Sequence, residues 1–309
     1  GHLPEVTPAG LVQETWDWYQ TLDLPAPMID FTARWLLQNL PTHSRRALVH
    51  GDFRNGNLMI DESGVRAVLD WELAQIGDPV RDLGWLCVNS WRFGQADLTV
   101  GGFGTVADLL AGYQAQSGVE VSHDDLRFWQ VFGSFWWSVS TLHMAATWRT
   151  GQTPSLERPV IGRRSSEAQM DCVNLLFPGE FDVPAAAELD QGTQLPMPAE
   201  MLEGVRVFLK EQVATNEDKH FSFLAKVAAN SLGIAQREFI CGPGLAEAEH
   251  GRLQALLGKG SLDELRWQLT RALRDGLPLG TSGLTDHLRQ TVAGQLSIDQ
   301  PGYTALRTA

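Results

Sequence analysis

The spacing of apolar and polar positions divides the chain into a short segment with strand character and long segments with helical character. Over residues 8–40 apolar side chains recur at helical intervals, with Trp16 and Tyr19 in a first helix and the run from Ile29 opening a second. Pro41 follows that run and ends it. The period then shortens. Leu48-Val49 reads as a strand end, residues 50–57 as a polar loop, and Leu58-Met59-Ile60 as the start of the next strand. The turn formers Asp61-Glu62-Ser63-Gly64 precede another apolar run, Ala67-Val68-Leu69-Asp70-Trp71. The two runs are predicted to pair as a hairpin, the second of them buried.

Helical spacing resumes after Asp82. It covers residues 83–94, then 106–117, with Leu109, Leu110 and Tyr113 on one face. A long helix over 126–149, capped by Asp124-Asp125, carries Phe128, Trp129, Phe132, Phe135 and Trp136, and another follows Arg163-Arg164. Residues 178–198 are rich in Pro, Gly, Ala and Gln with no apolar period, which reads as a linker. Beyond it five helices are expected, over 199–214, 219–240, 245–257, 261–275 and 285–298. Gly242-Pro243-Gly244 is read as the stop of the second, and Ser261 with Glu264 as a capping box for the fourth. The expected organisation is a domain over 3–177, a linker over 178–198 and an α-helical bundle over 199–309. The tryptophans agree with it: ten of eleven lie at or before Trp148.

Composition narrows the function. A formal net charge of −13 leaves no basic stripe for phosphate backbones, so a nucleic-acid-binding role is not expected. No run of 18 apolar residues occurs, and no membrane span is expected. Cys87, Cys172 and Cys241 are widely spaced and fit reduced thiols in a cytoplasm better than a disulfide framework or zinc site.

The chemistry concentrates in the polar loop and the strand after it. His50, Asp52 and Asn57 lie in the loop, and Asp70 interrupts an apolar run. An Asp at such a place is either hydrogen-bonded structurally or holding a cation, because an unpaired buried charge is costly. Phosphoryl transfer needs a carboxylate beside the acceptor hydroxyl and oxygen ligands for Mg²⁺ on the phosphates. Asp52 fits the first requirement, and Asn57 and Asp70 fit the second. Glu72 reads equally as an outer acid near the metal or a solvated strand end. Asp78 and Asp82 read as a helix cap and a brace for the loop. The glycine-rich Val100-Gly101-Gly102-Phe103-Gly104 lacks a following Lys-Ser/Thr and reads as a connection between helices.

The motif His50-x-Asp52-x-x-x-x-Asn57, followed by Leu69-Asp70-Trp71-Glu72 and Gly77-Asp78-Pro79-Val80-Arg81-Asp82-Leu83-Gly84-Trp85-Leu86, resembles the core of the aminoglycoside/choline kinase-like phosphotransferases. The likeness extends over residues 20–177 and is strongest to the branch associated with acyl-CoA dehydrogenases. It implies a mostly α (α+β) fold: a protein-kinase-like C-terminal lobe with a small catalytic hairpin, then the separate bundle. It also implies an ATP- and Mg²⁺-dependent small-molecule kinase. Asp52 would be its catalytic base, His50 the catalytic-loop residue supporting it, and Asn57 and Asp70 the metal and nucleotide ligands. The acceptor would be hydroxyacyl-type or aminoglycoside-like. Such kinases also carry an N-terminal lobe with a phosphate-covering loop and a lysine, whereas the first lysine here is Lys210. The chain is therefore expected to be inactive by itself, with a separate N-lobe or an acyl-CoA dehydrogenase as possible partners. The alternative is a non-catalytic scaffold built from a half-kinase and a bundle. Residues 199–309 resemble a bacterial all-helical domain of unknown role, in which Phe221, Lys226, Asn230, Arg237 and Glu238 are the candidate cluster and read equally as a solvated face with a few internal ion pairs.

Overall fold

The computed structural model describes residues 3–151, 155–182 and 197–307. It is mostly helical with two small antiparallel sheets, and it falls into two compact units. The first takes in residues 1–139 and 171–178, the second residues 140–170 and 179–307.

In the first unit, α1 (Pro8–Gln20) and α2 (Pro27–Gln38) each begin with proline in the first turn, and the Thr7 side chain caps α1. Asp30, buried on α2, accepts hydrogen bonds from Trp16 Nε1 (2.8 Å) and Tyr19 Oη (3.4 Å) on α1, which joins the pair through a satisfied charge. β1 (Ala47–Val49) does not pair with the hairpin. It pairs antiparallel with β4 (Gln75–Gly77), a strand too short to show in the hydrophobic pattern. The expected hairpin forms from β2 (Leu58–Asp61) and β3 (Gly64–Val68).

The burial expected of the second run does not hold. Leu69 and Trp71 are exposed, as are Met59, Ile60 and Val65 on the hairpin. A two-stranded ribbon has two faces, and these side chains meet no covering layer within the unit.

Helices α3 (Val80–Leu86), α4 (Val106–Ser117) and α5 (His123–Arg149) follow. Ser122, rather than the acidic pair after it, caps α5: its Oγ accepts from Asp125 N. The α5 residues Phe128, Trp129, Phe132 and Phe135 are almost fully buried and form the core of this unit. Gly84 of α3 lies against them so closely that an added Cβ would stand 2.5 Å from Trp129 Cβ and 2.6 Å from its backbone carbon.

The second unit includes α6 (Glu157–Arg163), α8 (Pro198–Phe208), α9 (Lys219–Leu257), α10 (Leu262–Arg274) and α11 (Leu284–Asp299). The helix α7 (Ser165–Leu176) and the long α5 both contribute residues to each unit. A cut at residue 177 therefore does not coincide with the division by packing. Of the expected linker, residues 183–196 lie outside the described residues.

The expected stop at Gly242-Pro243-Gly244 is overturned, because α9 runs through Pro243 for 39 residues. Proline removes one backbone donor and strains the preceding turn. Packing on both sides outweighs this: Ala225, Ala229 and Ile234 are buried before it and Leu253 after it, and Leu245 lies against Gly294 of α11. Phe239, whose carbonyl loses the helical donor at Pro243, is on the exposed side. The first expected helix of the bundle ends in a π-helical turn, Leu209–Val213. The Ser261/Glu264 capping box is present.

Two buried ionisable groups set opposite pH dependences in this unit. Burial, reinforced by the nearby arginines, lowers His287 to about pKa 4, below its usual 6.5. The unfolded chain then binds more protons between pH 6.5 and 4, so this group's contribution is lost as pH falls through that window. Burial raises Asp299 from 3.8 to about 6, so its folded form binds more protons and its contribution is lost as pH rises across that window. We expect His287→Gln to remove the acid-side loss. Its stability relative to the parent, measured by urea dependence of α11 amide exchange, should improve steadily from pH 6.5 to pH 4. In the first unit, Gly84→Ala should cost about 1–3 kcal/mol or more in denaturant unfolding, since the opposing Trp129 backbone cannot yield.

Candidate active site

The loop between β1 and β2 is held from below by one carboxylate. Asp82, on the first turn of α3, accepts from His50 N (2.7 Å) and Gly51 N (2.9 Å). Burial raises its pKa, and those two N–H bonds oppose the shift. The brace expected of Asp82 is thus present. Asp78 accepts from Val80 N and Trp129 Nε1, tying the start of α3 to α5, and its pKa is also raised by burial.

Gly51 has φ +86°, and an added Cβ would lie 2.6 Å from Leu73 O, so only glycine fits between His50 and Asp52. His50 is buried. Its Nδ1 accepts from Asp52 N (3.1 Å), which leaves Nε2 as the protonated nitrogen donating to Leu69 O (2.8 Å). The imidazole is consumed in joining the loop to the end of the hairpin, and it packs edge-on against Trp71.

Asp52 is partly buried and receives three side-chain donors. Trp85 Nε1 (2.8 Å) and Arg54 Nε (3.1 Å) reach Oδ1, and Asn57 Nδ2 (2.8 Å) reaches Oδ2. Asn57 also donates to the Asp52 carbonyl (2.8 Å). Both partners only accept, so Asn57 must present its NH₂ to them, and its Oδ1 faces away without a protein donor among the described residues. Asn57 O accepts from Leu69 N (2.8 Å), which brings the chain at Leu69-Asp70 beside Asn57. Asp70 sits in the left-handed region (φ 68°, ψ 58°), a conformation Asp tolerates better than most residues. Its exposed carboxylate has no partner among the described residues.

The hairpin end therefore offers two oxygen donors, Asn57 Oδ1 and the Asp70 carboxylate, that no group among the described residues claims. That donor set suits a hard cation such as Mg²⁺, which takes one or two protein oxygens and keeps waters. Among the described residues no group of three or more His, Cys, Asp or Glu forms a metal cluster. Glu72 is exposed in the short turn Trp71–Leu73.

Two groups near the loop escaped the sequence reading. The glycine-rich segment is not simply a connection: Gly101 O accepts from Asn55 Nδ2 (2.6 Å), and Gly101 N donates to Leu86 O (3.0 Å). An added Cβ at Gly101 would collide with Asn55 Oδ1. The segment thus buttresses the loop across 46 residues of sequence. The second group is an aromatic cluster of Trp85, Trp91, Trp136 and Trp137, with Arg54 stacked over Trp91 at 4.7 Å. The signal for it was the helical spacing of tryptophans, which reads equally as core.

Arg163 and Arg164, at the start of a helical run in the sequence, are both paired. Arg163 Nη1 binds Glu238 (2.8 Å) and Asp299 (3.1 Å), and Arg164 pairs with Glu167 (3.1 Å). Of the bundle's candidate residues, Lys226 and Asn230 are exposed, Phe221 is half-exposed, Arg237 donates to Ile298 O (2.5 Å) and Glu238 pairs with Arg163.

These features are those of a kinase-like fold followed in sequence by a distinct helical region. Residues 4–126 match the Phosphotransferase enzyme family, and residues 215–303 match a Domain of unknown function (DUF6285). Among relatives, Acyl-CoA dehydrogenase family member 10 of Mus musculus is 33% identical over 120 residues, 35% of this chain and 11% of that protein. Acyl-CoA dehydrogenase family member 11 of Gallus gallus is 41% identical over 87 residues, 27% of this chain and 11% of that protein. The chain thus spans about a tenth of the length of these relatives. A Ralstonia eutropha crystal structure described as an aminoglycoside phosphotransferase is 25% identical, with a TM-score of 0.47 and 55% of each chain covered. Among the described residues no helix is long and apolar enough to cross a membrane.

Replacing Asp82 by Ala strands two backbone donors. We expect a loss of about 2 kcal/mol or more in stability, together with faster amide exchange at His50 and Gly51. Unchanged protection at both amides would exclude the clamp.

Proposed function

We propose that this chain carries the acceptor- and metal-binding half of an ATP- and Mg²⁺-dependent phosphotransferase acting on a small-molecule hydroxyl group. The observation that carries the reading is the set of contacts around Asp52. Two donors fill the lone pairs of Oδ1, whereas Oδ2 takes only Asn57 and keeps one lone pair. Oδ2 is therefore the atom that accepts the acceptor's hydroxyl proton, while the donors on Oδ1 fix the carboxylate plane. His50 supports the loop and does not touch the reacting atoms. Asn57 Oδ1 and Asp70 hold the metal, which when bound neutralises and orients the nucleotide phosphates. The acceptor is a hydroxyacyl-type compound or an aminoglycoside-like sugar. The names of the relatives favour the first and make a dehydrogenase a candidate partner.

A second reading, a non-catalytic binding module, draws on one observation. Met59, Ile60, Val65, Leu69 and Trp71 leave the hairpin with exposed apolar side chains near Asp70. Such side chains equally suit a lobe that covers the phosphates, so they favour neither reading alone.

Calorimetric titration with Mg²⁺ and ATP separates them. The first reading expects Mg²⁺-dependent nucleotide binding, weakened at least about tenfold by Asp70→Ala or Asn57→Ala. Where phosphate transfer is measured with a complementing lobe, Asp52→Ala should lower the rate at least about a hundredfold. Full transfer by that variant would remove Asp52 from the mechanism.

A further inference from the structure

The Arg54 guanidinium has a chemistry of its own that the assignment of Asp52, Asn57 and Asp70 does not use. Its Nε is committed to Asp52 Oδ1 at 3.1 Å, and its plane lies over the Trp91 ring at 4.7 Å. Among the described residues the two terminal nitrogens, Nη1 and Nη2, meet no acceptor. The side chain is partly open to solvent, at 28%. Residue 56 makes room for it: an added Cβ on Gly56 would collide with Nη1. A guanidinium fixed by one ion pair and one aromatic face, with its outer edge unclaimed, is preorganised for two parallel oxygens.

A second donor lies in the same cluster. The Trp91 indole N–H is buried, on a residue only 8% exposed, and finds no acceptor among the described residues. Buried donors are seldom left unpaired in native proteins. Trp91 stacks with Trp85 and Trp137, and Trp85 in turn donates to Asp52. The proposed base thus lies beside a fixed cation and the Trp85 indole, and both of these pack on Trp91. No carboxylate other than Asp52 contacts Arg54 among the described residues.

We propose that Arg54, with Trp91, is the specificity-determining element of the acceptor site: it binds an oxyanion and selects hydroxyl acceptors that carry a carboxylate or carbonyl on an apolar skeleton, against polycationic amino sugars. This rests on the phosphotransferase reading for the word acceptor only; the oxyanion site stands on Arg54 and Trp91 themselves. An ammonium group brought to Asp52 would approach Arg54 as a like charge, whereas a hydroxy acid places its hydroxyl toward Asp52 and its oxygens toward the open guanidinium edge. The same chemistry could be supplied by a phosphate oxygen pair, and the test distinguishes the two sources.

The test needs neither nucleotide nor transfer. The full chain is titrated with 3-hydroxybutyrate, inorganic phosphate and kanamycin, following the tryptophan indole N–H resonances and, in parallel, the heat of binding. Saturable binding of 3-hydroxybutyrate that moves the Trp91 resonance is expected, with kanamycin binding weaker. Arg54→Gln should weaken the hydroxy acid about tenfold or more, and Arg54→Lys should recover part of that loss. Binding of phosphate alone, lost in Arg54→Gln, would keep the oxyanion site but overturn its role in acceptor choice. Kanamycin binding tighter than both anions, or anion affinity indifferent to Arg54→Gln, would overturn the proposal outright. A chain that binds the hydroxy acid yet never transfers phosphate refutes the kinase reading alone.

Discussion

The site depends on the bond pattern of one carboxylate. Asp82 turns two successive backbone N–H groups, at His50 and Gly51, toward the start of α3. With those groups fixed, the chain reverses at Gly51 and delivers Asp52 onto Trp85, which lies on α3 itself one turn after Asp82. The helix therefore sets both the position of the loop and the orientation of its acid. His50 closes the opposite side by tying the loop to Leu69, next to Asp70. The proposed base and the two proposed metal ligands lie within twenty residues joined by short bonds, and α3 anchors that segment.

That economy explains why the centre of the site was legible. The residues that meet there are close in sequence, carry distinctive chemistry, and stand at a spacing that a known motif shares. The groups that escaped are long-range or chemically plain. Nothing about Gly101 announces that its carbonyl will receive Asn55, because a backbone oxygen leaves no mark in the sequence. Strand β4 has three residues and no alternation to detect. Arg163 looks like a free cation until α9 and α11 supply Glu238 and Asp299.

The helical region teaches a different lesson. Its capping box at Ser261 and Glu264 is local, and was read correctly. Gly-Pro-Gly is also local, and the same kind of reasoning failed there. Proline disfavours a helix by about 3 kcal/mol, a cost that buried side chains on both flanks of Pro243 can offset. The exposed hairpin is the converse case. Leu69 and Trp71 have the composition of a buried strand, yet burial requires a covering layer that a two-stranded ribbon does not itself provide.

Charge must also be judged by distance. The chain carries a formal net charge of −13, and on that ground alone a polycationic ligand would be drawn toward it. At physiological salt such attraction decays over about 8 Å, so it guides approach but does not decide fit. Fit is decided by the group within contact range, and beside Asp52 that group is Arg54, held at 3.1 Å and backed by an indole face. A cation so placed partly neutralises the one carboxylate an amino sugar would seek, and it adds a repulsion that the remote acidic residues are too screened to offset. The overall charge and the local charge thus point to opposite ligands, and the local one governs at bonding distance.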